Sequence, residues 1–144
     1  MRVAIVYDSR SGTTRQAAEA MAALARDAGH TCTVSPVQQA DPSEVSTAEA
    51  LCIGSWTQGF LYFWQHATRG THDFIERLGP LQGQPAAVFC TYKTSPGRLL
   101  DRMADALRAQ GADVTGQFRS RGPRAPEGFQ AWVDHLAARE ETSG

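Results

Sequence analysis

Residues 9–14, Ser-Arg-Ser-Gly-Thr-Thr, set four hydroxyls and a glycine directly behind the apolar run 2–7. A strand that gives way to such a loop and then to a helix presents backbone N–H groups and the positive end of a helix dipole. Gly12 lets the backbone approach a ligand closely, and Ser9, Ser11, Thr13 and Thr14 offer neutral donors, a combination suited to phosphate. Other phosphate chemistries lack their residues. A nucleotide P-loop needs GxxxxGK[ST], and the only lysine is Lys93. The dinucleotide GxGxxG is absent behind the first strand, and the loop has no cysteine to act as a phosphatase nucleophile. At the end of the third apolar run, Ile53-Gly54-Ser55 leaves no aspartate to accept a phosphoryl group. The alternative is a Ser/Thr-rich helix N-cap with no ligand.

The elements that position this loop follow from two alternating periodicities. Continuous apolar runs at 3–7, 50–55 and 84–92 read as buried strands, and 30–37 and 112–118 as two more, with Pro36 marking an edge. Between them the spacing turns helical. Ala17, Met21, Leu24 and Ala28 share a face over 13–28, with Gly29 as the stop. Phe74, Ile75 and Leu78 share a face over 71–78. Ser95-Pro96 is an N-cap signal for a helix carrying Leu99, Leu100, Met103 and Leu107, with Gly111 as its stop. Phe129, Trp132, Val133 and Leu136 repeat at helical spacing over 126–139, while 38–50 offers only a short helix or turn. This alternation predicts an α/β three-layer sandwich: a five-stranded parallel sheet in the order 2-1-3-4-5 with helices on both faces. Ligands of such sheets bind beyond the carboxyl ends of the strands where the order reverses, here between strands 1 and 3. The loops leaving those strands are 8–14 and 54–59.

A length of 144 residues suits a single domain spanning 1–144. With a net charge of −1 there is no overall field for nucleic acid or an anionic membrane. No apolar run approaches the roughly 20 residues of a membrane-spanning helix. The first strand begins at Arg2 or Val3, which leaves no room for a leader, and the expected location is the cytoplasm. Cys32, Cys52 and Cys90 are widely spaced in apolar segments, a pattern of buried thiols rather than a metal or disulfide framework.

At three loops the sequence resembles the short-chain flavodoxins. Ser9, Ser11, Gly12 and Thr14 match the [ST]-x-[ST]-G-x-T phosphate loop of that family. Residues 54–59, Gly-Ser-Trp-Thr-Gln-Gly, are similar to its loop after strand 3, and 89–97 to its loop after strand 4, with Tyr92 where an aromatic often faces the flavin. The resemblance implies FMN as cofactor. Its phosphate would lie on Ser9, Arg10, Ser11, Gly12, Thr13 and Thr14. Its ring would lie between Ser55, Trp56, Thr57, Gln58 and Gly59 on one side and Cys90, Thr91, Tyr92 and Lys93 on the other. The implied activity is electron transfer between redox partner proteins, with no metal and no assigned catalytic residue.

Two departures from the family pattern bear on function. Gln58 stands where many flavodoxins carry tryptophan, and Trp56 comes two residues earlier. The near-neutral charge differs from the strong acidity of dedicated carriers, and Arg10, Arg69, Lys93 and Arg98 fall near the expected crevice. Positive charge there favours the anionic reduced flavin and raises its potential. These features keep a second reading open: an FMN-dependent oxidoreductase acting on a small substrate such as a quinone, with NAD(P)H or a protein as reductant. A third is a cofactor-free interaction module. The aromatic run in 59–64 (Phe60, Leu61, Tyr62, Phe63, Trp64) reads either as a buried plug or as a wall for the flavin, a partner or a second subunit.

Overall fold

A computed structural model describes residues 1–8, 12–56, 69–91, 99–120 and 123–143. Strands and helices alternate: β1 (Arg2–Tyr7), α1 (Thr13–Asp27), β2 (Thr31–Pro36), α2 (Pro42–Val45), β3 (Ala50–Trp56), α3 (Arg69–Arg77), β4 (Pro85–Thr91), α4 (Leu99–Ala109), β5 (Asp113–Ser120) and α5 (Phe129–Ser143). The strands pair in parallel in the order β2-β1-β3-β4-β5, as the alternation predicts.

Burial follows position in the sheet. β4 is buried along its whole length, whereas the edge strands β2 and β5 alternate or fade toward solvent. Successive residues of the central strands serve opposite faces. Val3, Ile5 and Tyr7 join Met21 of α1 and Phe129 and Trp132 of α5 in one core cluster. Ala4 and Val6 join Phe74 and Ile75 of α3 and Met103 and Leu107 of α4 in the other. The result is the expected three-layer arrangement. Gly54 of β3 is fixed by this packing, because a Cβ there would lie 2.1 Å from Cζ of Phe89, its register partner on β4.

Several boundaries differ from the sequence reading, each for a local reason. The buried side of α1 is Ala17, Ala18, Met21, Ala22 and Ala25; Leu24 is half-buried and Ala28, past the helix end, is exposed. Small alanines let this helix lie close to the sheet. α5 starts at Phe129 rather than Pro126 because Gly128 takes a left-handed conformation, φ 95°, that a helix cannot include. The ambiguous stretch 38–50 does contain a short helix, α2. Asp41 caps it by accepting from Ser43 N at 3.0 Å and Ser43 Oγ at 2.8 Å, with Pro42 in the first turn. Those bonds hold the Asp41 carboxyl below its usual pKa.

The three cysteines are free and buried, as their apolar surroundings predict. Burial pushes all three thiols up, Cys52 well above its usual value and Cys90 to about 12. No helix among the described residues is long and apolar enough to cross a membrane.

Candidate functional site

The carboxyl ends of β1 and β3 are tied together one residue beyond β1, where Asp8 N donates to Gly54 O at 3.0 Å. From this point the chain enters 9–11, outside the described residues, and re-emerges at Gly12. Gly12 is the N-cap of α1, at φ 89° and ψ −10°, and Gln16 N donates to its carbonyl at 3.0 Å. The place a Cβ would occupy is open, with nothing within 4 Å. Glycine is therefore required here for its left-handed backbone and not because a neighbour crowds it.

The start of α1 carries no acidic side chain in its first turn, and among the described residues no side chain caps it. An anion is favoured at such a helix start. Thr14, in that first turn, is buried at 1% exposure, and its hydroxyl lies 2.5 Å from the hydroxyl of Thr91 at the end of β4. This bond joins the first and third predicted loops across 77 positions of sequence. Behind them, Tyr7 closes the α1 side of β1, its phenol pKa raised chiefly by burial.

Ser55, the next predicted contact, is fully buried at the end of β3 and pairs in register with Cys90. Trp56 pairs in register with Thr91. Cys90 turns its side chain into the α3–α4 core cluster, so what it offers the edge is backbone. Of the remaining predicted contacts, Ser9, Arg10, Ser11, Thr57, Gln58, Gly59, Tyr92 and Lys93 lie outside the described residues, as do 59–64, Arg98 and the Trp56 and Arg69 side chains.

Two polar residues at this edge escaped the sequence reading. Asp8 is buried, accepts from Gln38 Nε2 at 3.4 Å, and lies against the first turn of α3, where a Cβ on Gly70 would come within 3.3 Å of its Oδ2. It ties the end of β1 to the turn after β2 and leaves room only for glycine-sized approach from α3. Ser120 is buried at the end of β5 and donates to Arg124 O at 3.0 Å. The only local signal for either is a polar residue ending an apolar strand. Five buried polar side chains (Asp8, Thr14, Ser55, Thr91 and Ser120) thus gather where the strands end.

A parallel sheet in the order 2-1-3-4-5 with helices on both faces defines the flavodoxin-like fold. The Flavodoxin domain family matches residues 4–123, and the chain belongs to that family, whose members are FMN electron carriers. Similar solved structures agree in fold. A flavodoxin from Megasphaera elsdenii, in its two-electron reduced form, is 20% identical with a TM-score of 0.79, covering 94% of this chain and 98% of that one. The Streptococcus pneumonia TIGR4 flavodoxin is 22% identical with a TM-score of 0.78 over 96% and 99%. An archaeal flavodoxin is 24% identical with a TM-score of 0.71 over 94% and 93%. No curated protein matches the chain by sequence.

Proposed function

We propose that this chain, a single domain over 1–144, holds FMN at the carboxyl edge of its sheet and passes electrons between redox partner proteins in the cytoplasm. The phosphate is held by loop 9–14: hydroxyls from Ser9, Ser11, Thr13 and Thr14, the Gly12 backbone and the positive end of α1, with Arg10 adding charge. The ring lies between residues 55–59 and 90–93. FMN supplies the one- and two-electron chemistry, and the chain binds it, orients it and tunes its potential through nearby charge and hydrogen bonds. The observation that carries the reading is the buried Thr14–Thr91 pair at a helix start that has no acidic residue in its first turn. It brings two of the three loops to one place and leaves that place fit for a phosphate.

The experiment is the absorption spectrum of the purified protein before and after adding FMN. A bound-flavin band, with quenched flavin fluorescence on titration, is the expected result. Absence of any FMN binding removes the reading and leaves a cofactor-free module. The net charge of −1 favours one further arm. Rapid NAD(P)H oxidation with a quinone, without a partner protein, would replace the carrier by an oxidoreductase.

A further inference from the structure

A threonine hydroxyl has one proton, so in the Thr14–Thr91 pair one oxygen donates and the other accepts. Both residues are buried, Thr14 at 1% and Thr91 at 5% exposure, so water does not decide the order. From the FMN reading above, on which this inference rests, Thr14 faces a phosphate, which accepts hydrogen bonds and has few or no protons to give. Thr14 must then turn its own proton to the phosphate, and its oxygen must take one from Thr91. The geometry points to Thr91 as a positioning residue. It donates to Thr14 and so locks that hydroxyl into the donor orientation that an anion at the start of α1 requires.

The consequence is a chain of donors running from β4 through α1 to the ligand. Each member polarises the next, and a chain that ends on an anion gains more from this than one that ends on a neutral group. Through its hydroxyl Thr91 therefore acts on the phosphate, and what it adds to the ring wall at 90–93 is its backbone, which the substitutions below keep. Valine at 91 keeps the β-branched shape that packs in a strand but removes the donor. Serine keeps the donor.

Direct titration of FMN and riboflavin, which lacks the phosphate, against the wild type, Thr91→Val, Thr91→Ser and Thr14→Val tests this. Thr91→Val is expected to weaken FMN roughly 5- to 10-fold, the loss of about one net hydrogen bond, and to weaken riboflavin markedly less. Thr91→Ser should bind both ligands as the wild type does. In a Thr14→Val background, Thr91→Val should cost FMN nothing further, because the relay is already cut. Should Thr91→Val fail to fold, Thr91→Ala takes its place, with riboflavin affinity as the control for the site. Equal losses of FMN and riboflavin, an unchanged FMN affinity, or an undiminished effect in the Thr14→Val background would each overturn the relay. If the wild type itself binds both flavins alike, the phosphate reading has failed and the relay falls with it. Wild-type discrimination that is undiminished in Thr91→Val overturns the relay alone.

Discussion

The two ends of the sheet solve the same problem differently. At the amino end, the turns are fastened by their own backbone. Leu81 N donates to Gln110 O at 2.6 Å, Gly83 N to Gly111 O at 2.8 Å and Glu49 N to Arg2 O at 2.9 Å. Gln84 completes the closure, its Nε2 donating to Ser46 O at 3.0 Å and Ala48 O at 3.3 Å. Apart from His30 Nε2, which has no partner among the described residues, this end satisfies itself. At the carboxyl end, side chains carry the polarity: hydroxyls and a carboxylate are buried where the strands stop. One end is closed mainly by backbone, and the other by buried side chains bonded to one another and to backbone.

Two left-handed glycines make that contrast testable. Gly111, at the amino end, has φ 105°, and a Cβ on it would sit 2.5 Å from Leu81 O. Gly111→Ala should lose about 1–2 kcal/mol to the backbone conformation and about 1–3 more to overpacking against a fixed carbonyl. Denaturant unfolding reads the loss, and FMN affinity of the folded fraction should not move. Gly12→Ala meets open space, so its stability loss is limited to the conformational term of about 1–2 kcal/mol. Its larger signature is in binding, where FMN should weaken and riboflavin should not. A Gly12→Ala protein that keeps its FMN preference would erase the distinction between the two ends.

Alkaline pH probes the core between them. Cys90 ionises near 9.0 when unfolded and at about 12 when folded, burial raising it and Arg119 partly offsetting that. Between those values the unfolded chain binds fewer protons, so stability is complete below about pH 9 and falls as pH rises toward 12. The slope is up to about 1.4 kcal/mol per pH unit for each such thiol. Unfolding midpoints at pH 9, 10 and 11 should show the decline, and Cys90→Ala should make it shallower, with Cys32, Cys52 and Tyr7 still contributing. A further test belongs to the amino end. Gln84→Ala is expected to lose about 0.5–1.5 kcal/mol per net hydrogen bond removed, with no change in flavin binding.

The sheet order and the helices were legible because apolar spacing is a local property, and 9–14 because hydroxyls cluster in sequence. The geometry joining those pieces was not. Thr91 could be named as a contact, but its bond to Thr14 spans 77 positions and no pattern announces it. Asp8 is fixed by Gln38 and by the room Gly70 leaves, residues on separate turns of the chain. The same holds for Gly111, whose constraint comes from Leu81 on another loop. Where Gly128 ends its loop, local sequence did carry the signal, but Pro126 outweighed it in setting the helix start.

The central claim is that the carboxyl end recognises a phosphate. Parallel titrations of the wild-type protein with FMN and riboflavin, followed by flavin fluorescence, test it most directly. Even two of the charge-assisted hydrogen bonds proposed for loop 9–14 would give a preference for FMN of at least roughly 100-fold. Equal affinity for the two flavins would contradict it.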